Sequence, residues 1–120
     1  QGKTRGKVAL LGIEATTNQA CAAIMLNSNV DANFAFQNLA SRYEEIRKLS
    51  NEGGQENLSA GLIKEIPLAY PCLAEQQRIV DCLSSLDELI AAQNQKIETL
   101  KTHKKGLMQQ LFPVLDEVSA

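Results

Sequence analysis

The sequence predicts an α+β protein, with short strands and one helix in a small N-terminal portion and a long coiled-coil α-helix behind it. Two observations lead to this prediction. Short apolar runs alternate with polar turns as far as Pro71, whereas residues 74–112 contain no proline and a single glycine, Gly106. The length of 120 residues allows one domain, or a small domain with an extension.

The N-terminal portion opens with two apolar runs, KVALLGI at 7–13 and CAAIML at 21–26, joined by a polar loop. This layout is typical of two short strands connected by a turn. The segment EIPL at 65–68 predicts a further short strand. Pro67 would place that strand at a sheet edge, because proline has no N–H to donate.

Helical signals lie between the predicted strands. The Asn- and Asp-rich stretch 27–33 is suited to capping a helix. Apolar residues then recur at intervals of three and four, which predicts one helix over residues 34–50, ended by the glycines of NEGG at 51–54. Ser59 is the predicted cap of a single turn over residues 60–64.

The long helix carries a seven-residue apolar repeat, which we call the seam. Its positions alternate at intervals of four and three, and eight of the ten are apolar. They are Ile79, Leu83, Leu86, Ile90, Gln93, Ile97, Leu100, Lys104, Leu107 and Leu111. An average interval of 3.5 residues is typical of a coiled coil rather than of a helix on a globular core. Gln93 and Lys104 would fix the register of a specified partner helix.

The composition argues against several classes of function. No run approaches the length of a membrane span and no signal peptide heads the chain, so we expect a cytoplasmic protein. His103 is the only histidine and lies among lysines on a predicted exposed face. Zinc-protease, P-loop and serine-hydrolase motifs are absent, so we expect no catalysis, no cofactor and no metal.

The three cysteines are odd in number and far apart. Cys21, Cys72 and Cys82 form no close pair of the kind that binds zinc. Free cysteine usually behaves as a small apolar residue. We therefore expect three reduced thiols that are mostly buried.

Four motifs, taken in order, resemble the DNA-specificity subunits of type I restriction–modification systems. They are GQENLS at 54–59, IP at 66–67, PCLAEQQRI at 71–79 and LKTHKKGLMQQLF at 100–112. The segments GKTRGKVAL and TTNQACAAI also look like the second half of a recognition domain of that family. The resemblance implies a partial target-recognition domain at 1–71, a conserved long coiled-coil helix at 72–112 and a C-terminal tail at 113–120.

The resemblance implies a non-catalytic subunit. In such subunits each recognition domain reads half of a split DNA target, and a pair of long helices sets the spacing and forms a platform for the methyltransferase subunits, which methylate adenine. The implied partners are double-stranded DNA, the methyltransferase (modification) subunits and, through them, the restriction subunit. Isolated, the chain would form a homodimer through the seam. The alternative is a structural coiled-coil oligomerisation module without DNA recognition.

Two N-terminal loops are the candidate DNA contacts. The candidate residues are Lys3, Arg5, Lys7, Thr17, Asn18 and Gln19. The whole chain has a net charge of −2, but the first 25 residues contain three basic residues and one acidic residue. Basic side chains can neutralise phosphates or bind guanine, and the Asn and Gln amides can pair with adenine. The other interpretation is a solvated basic edge beside an ordinary polar turn.

Overall fold

The computed structural model describes residues 6–49 and 58–112. These ranges contain four helices: α1 (Ala32–Ser41), α2 (Tyr43–Leu49), α3 (Ala60–Lys64) and α4 (Leu73–Leu111). The chain divides into two compact units, Gln1–Asp81 and Cys82–Ala120, and α4 continues through the boundary between them. No described residue belongs to a β-strand, so the predicted α+β class, with its short strands, is wrong.

The three segments predicted as strands have irregular backbone at 7–13, 21–26 and 65–68. The apolar side chains at 9–13 and 21–26 are exposed, and Met25 reaches 91 %, whereas Val8, Ile66 and Leu68 are half-buried. A strand forms only when another extended segment takes its N–H and C=O groups. Within the described ranges no segment does so. The apolar spacing showed which residues favour burial, but it could not supply the pairing partner.

The helix predicted over residues 34–50 is in fact two helices. α1 begins at Ala32 and ends at Ser41, and the chain turns at Arg42 before α2 starts. The Arg42 N–H bonds to the Leu39 carbonyl, a spacing of three that is typical of a helix end. The apolar repeat continues across this turn, which is why the sequence read as one helix. The predicted stop at 51–54 lies outside the described residues.

Both predicted N-caps are confirmed. In the stretch 27–33, Asp31 accepts a hydrogen bond from the Phe34 N–H at 2.9 Å through its side chain and caps α1. The Ser59 hydroxyl likewise accepts from the Leu62 N–H at 3.2 Å and caps α3.

A small core lies in the first unit. Its buried residues are Val30, Phe34, Ala35, Ile46, Gln76 and Val80. The last two lie in the first turns of α4, so the start of the long helix contributes to this core. A core of this size leaves most apolar side chains in the described ranges partly exposed.

Three further findings concern expectations from the sequence. The long helix is present, with bounds Leu73–Leu111. Cys21, Cys72 and Cys82 are free thiols but are all exposed, so the expectation that they are mostly buried is wrong. Among the described helices, α4 included, none has the length and continuous apolarity needed to cross a membrane.

Candidate nucleic-acid and helix-pairing surfaces

The seam of α4 is an exposed apolar stripe. All seam residues except Ile79 belong to the second unit. Leu86 is 52 % exposed, Leu100 is 58 % exposed and Leu111 is 69 % exposed. In proteins most helical stability comes from packing an apolar face. The stripe therefore has the chemistry of a surface that pairs with another helix.

Charge is distributed unevenly along the second unit. Residues 82–95 contain two charged residues, Asp87 and Glu88, both acidic. Residues 96–111 contain four lysines and Glu98 as the one acidic residue. Compensation of the helix dipole falls off within the last turn, so it does not explain charges this far from the helix ends. The first half of this stretch is acidic and the second half is basic, which makes it complementary to an antiparallel copy of itself.

Lys101 makes a local ion pair in the unpaired helix. Its Nζ lies 2.8 Å from Glu98 Oε1, one turn earlier, and both side chains are more than two-thirds exposed. Exposed pairs at this spacing are worth only a few tenths of a kcal/mol. Lys101 can therefore exchange this partner for a carboxylate on another helix at little cost.

Gly6, the first described residue, lies beside α2. Lys3 and Arg5 lie outside the described residues, whereas Lys7 is described and exposed. Gly6, which precedes it, has φ of +80°, a conformation that favours glycine. A Cβ at Gly6 would lie 3.6 Å from the Tyr43 ring and from the Arg47 backbone nitrogen. The backbone of Arg47 is thus a neighbour of Gly6, which directly precedes Lys7.

The TTNQ loop forms its own turn. Thr17, Asn18 and Gln19 are all exposed. Asn18 Oδ1 accepts from the Ala20 N–H at 3.0 Å, and the Asn18 carbonyl accepts from the Cys21 N–H at 3.1 Å. Bidentate pairing of Asn18 with adenine would therefore use the second lone pair of Oδ1 or open this turn. No described hydrogen bond or ion pair connects the loop to Lys7.

Gln76 is the residue that sequence reasoning missed. It lies in the PCLAEQQRI motif, yet its side chain is fully buried. Its Oε1 accepts from the Asp31 N–H, and its Nε2 donates to the carbonyls of Asn29 and Pro71, all at 2.8 Å. The family motif Pro-x-Leu-x-Glu-Gln-x-x-Ile specifies a glutamine at position 76 and not at position 77, its exposed neighbour, but it does not indicate burial.

Arg42 gives the IP motif a contact in the same unit. Its Nη1 donates to the Pro67 carbonyl at 2.7 Å. Its Nε and Nη2 donate to the two carboxylate oxygens of Glu45 at 2.9 and 2.8 Å. This forked hydrogen bond lowers the pKa of Glu45 and raises the pKa of Arg42. The turn between α1 and α2 is thereby fixed to the segment that precedes α4.

The described residues offer no centre for metal chemistry. No group of three or more histidine, cysteine or carboxylate side chains is placed to hold an ion in the ranges that the structure describes. His103 is exposed on α4. Lys7, the polar loop at 17–19 and the apolar face of α4 are the exposed features in the described ranges whose chemistry suits binding.

Comparison with known proteins identifies the class. Residues 1–102 match the family described as type I restriction modification DNA specificity domain. The match covers most of the chain, and the chain belongs to this family. Specificity subunits are in general non-catalytic.

Two relatives come from Methanocaldococcus jannaschii. The type I restriction enzyme MjaVIII specificity subunit is 30 % identical over 86 residues, which is 72 % of this chain and 20 % of the relative. The putative type I restriction enzyme MjaX specificity subunit is 38 % identical over 58 residues, 48 % of this chain and 14 % of the relative. The chain thus spans a fifth or less of the length of these relatives in the matched regions. No solved structure matches the chain.

Proposed function

We propose that the chain is a portion of a specificity subunit that contributes to reading half of a split DNA target and uses α4 as spacer and docking platform for modification subunits. The N-terminal edge and the TTNQ loop would contact DNA, while α4 would pair with a second long helix. The chain would act in the cytoplasm within a restriction and adenine-methylation complex and catalyse nothing itself. This proposal combines family membership with the chemistry of the exposed surfaces.

The observation that carries the proposal is the exposed seam of α4. Leucine and isoleucine side chains recur along one helix face and are between about one-third and two-thirds exposed. Apolar stripes of this kind mark interaction sites. A spacer built from two long helices requires such a stripe, whereas a helix of ordinary length could cover its apolar face on a small core.

For the isolated chain we propose an antiparallel homodimer. When two copies are centred at Gln95, every seam position meets another: Ile79 with Leu111, Leu83 with Leu107, Leu86 with Lys104, Ile90 with Leu100, and Gln93 with Ile97. The methylenes of Lys104 would cover Leu86 while its ammonium group reaches water. A parallel pair would instead place Lys104 opposite Lys104 on the seam, which like-charge repulsion disfavours.

Charges beside the seam favour the same orientation. Asp87 follows Leu86 and Lys101 follows Leu100, so both occupy the same flank of the seam. In the antiparallel pair Asp87 of one copy lies about 3 Å along the helix axis from the level of Lys101 of the second copy, within reach of the long lysine side chain, and symmetry repeats this contact. Flanking charges of this type set partner choice and orientation in coiled coils. Lys96 of one copy would lie near Lys96 of the other at the centre of the pair, but both ammonium groups are exposed and salt screens their repulsion.

DNA binding is tested by selecting bound duplexes from a random pool and measuring their affinity at several salt concentrations. If Lys3, Arg5 and Lys7 each neutralise a phosphate, log K should fall against log salt with a slope of about −3. Replacing Arg5 and Asn18 with Ala should abolish sequence-selective binding. Lys64→Ala removes an exposed basic side chain on α3 and is the matched control.

The outcome separates two functions. Selective binding that is lost in the Arg5 and Asn18 variants but kept in the Lys64 variant supports DNA recognition. Binding that is equal for all duplexes and unchanged by these substitutions would favour the structural coiled-coil module instead.

A further inference from the structure

The Gln76 carboxamide is unusually well matched to its surroundings. It is the one fully buried polar side chain in the described ranges. Both of its N–H groups donate and its oxygen accepts, so three main-chain groups from two separate segments converge on one amide. Two of these groups belong to the loop before α1 and the third belongs to Pro71, two residues before α4. The amide therefore bridges the starts of two helices.

The loop that receives Gln76 is shaped by its own hydrogen bonds. Asn27 Oδ1 accepts from the Asn29 N–H at 3.1 Å, and the Asn27 carbonyl accepts from the Val30 N–H at 3.2 Å. Asp31 then caps α1 through the Phe34 N–H. The loop thus offers one carbonyl and one N–H in a fixed arrangement before Gln76 is considered. A side chain needs both a donor and an acceptor to satisfy it.

We propose that Gln76 is a positioning residue, which holds the first turns of α4 at the N-terminus of α1 and so fixes where the spacer helix begins. This inference rests on the proposed function, because it gives the DNA-reading portion a defined attachment to the helix that sets target spacing. Gln76 acts through the main chain of Asn29, Asp31 and Pro71 and needs no contact with DNA. Gln76 continues the spacing of the seam by three residues before Ile79, but it is fully buried in the first unit, so its role is separable from helix pairing.

Gln77 supplies an internal comparison. It has the same side chain one position later, but it is exposed and donates to Asp81 Oδ1 at 2.8 Å on its own helix. A substitution at Gln77 alters helix propensity and charge as the same substitution at Gln76 does. Gln77→Glu also places a carboxylate one turn from Asp81, which costs only a few tenths of a kcal/mol at an exposed site, so a larger difference between the two reports the buried hydrogen bonds.

The first experiment compares thermal unfolding of Gln76→Glu and Gln77→Glu with the unsubstituted chain between pH 7 and pH 5. At pH 7 the new carboxylate accepts from Asp31 but has no N–H for the Asn29 and Pro71 carbonyls. We expect Gln76→Glu to unfold at least about 5 °C below the unsubstituted chain. Gln77→Glu should remain within about 2 °C, as exposed substitutions usually do.

The pH profile distinguishes positioning by hydrogen bonds from a general loss of packing. Burial and the two carbonyl oxygens raise the pKa of a glutamic acid at position 76 above its unfolded value, against the single opposing hydrogen bond from the Asp31 N–H. The protonated form can donate to one carbonyl. The stability deficit should therefore be full above the folded-state pKa and shrink as the pH falls through it. Exposed Glu75 and Arg78 are present in all three proteins and cancel in the comparison.

A deficit that is equal at both pH values, or equal for Gln76→Glu and Gln77→Glu, would overturn the proposal. If Gln76→Glu fails to fold at pH 7, amide hydrogen exchange on the unsubstituted chain decides. The Asp31 N–H should exchange slowly because it donates to Gln76, and rapid exchange there would equally overturn the proposal. If the unsubstituted chain is a monomer, the proposed helix pairing is wrong, but the unfolding and hydrogen-exchange measurements still test the role of Gln76.

Discussion

Replacing Leu86 and Leu100 with Asp should convert the isolated chain from a dimer to a monomer. Both residues are seam positions on α4, and both are more than half exposed in the unpaired helix. In the antiparallel pair they would lie in the layers next to the Asp87–Lys101 contacts. The substitutions therefore act on the apolar surface that the proposal assigns to the partner helix.

The magnitude follows from that exposure. Full burial of a leucine is worth about 2 kcal/mol, so burying the exposed half contributes about 1 kcal/mol. Two leucines in each of two copies give about 4 kcal/mol per dimer, which corresponds to roughly a thousandfold change in the dissociation constant. Burying the new carboxylates would add several kcal/mol of desolvation cost. The dimer should be undetectable where the unsubstituted chain is fully associated.

Sedimentation equilibrium over a concentration series measures this directly. The matched control carries Gln95→Asp and Gln109→Asp, which introduce the same number of aspartates on the outer face of α4. The control should keep the dimer mass, because helix propensity and net charge change without loss of the seam. An unchanged mass for the Leu86 and Leu100 variant would refute the seam assignment. A monomeric control would show that aspartates anywhere on α4 disrupt association.

Two further predictions concern charge. Asp87→Lys and Lys101→Asp should each weaken the dimer, and the double variant should restore it, as measured by sedimentation. A double variant that dimerises no more tightly than either single variant would exclude the antiparallel contact. The hydrogen bond from Arg42 lowers the pKa of Glu45 in the folded chain. The Glu45 carboxylate therefore stabilises the fold above its unfolded pKa of about 4.3, and this stabilisation is lost as the pH falls through the lower folded pKa. Acid unfolding monitored by circular dichroism should therefore show a smaller loss of stability with falling pH in Glu45→Gln than in the unsubstituted chain. Glu44→Gln, which removes the neighbouring carboxylate, is the matched control.

The long helix could be predicted from the sequence because its apolar spacing is local and repeated. The seam spacing extends over more than four heptads, and no proline interrupts it. The caps at Asp31 and Ser59 were equally readable, since each bonds an N–H three residues away. Such features require no knowledge of distant parts of the chain.

The predicted strands are absent from the described ranges, because extended structure depends on a partner. Residues 7–13 and 21–26 have the apolar content of strands, but the described ranges provide no segment to complete their hydrogen bonds. The break at Arg42 was missed for a similar reason. Its side chain reaches the Pro67 carbonyl, 25 residues away in the chain, and no local pattern encodes that contact.

The candidate surfaces also differ in whether the local sequence predicts them. The seam and the basic edge follow from residue types and spacing. The Gln76 contacts do not, since its partners Asn29 and Asp31 lie more than forty residues away. A motif search finds the glutamine, but only the fold shows that its amide is buried and fully hydrogen-bonded.

The most direct test of the proposed function is a pull-down at moderate salt with the modification subunit encoded beside the parent gene. The unsubstituted chain and the Gln95 and Gln109 control should retain that subunit, whereas the Leu86 and Leu100 variant should lose it. This result would locate the docking platform on α4. Equal retention by the seam variant, or no retention by a chain that still forms a stable dimer, would contradict the account.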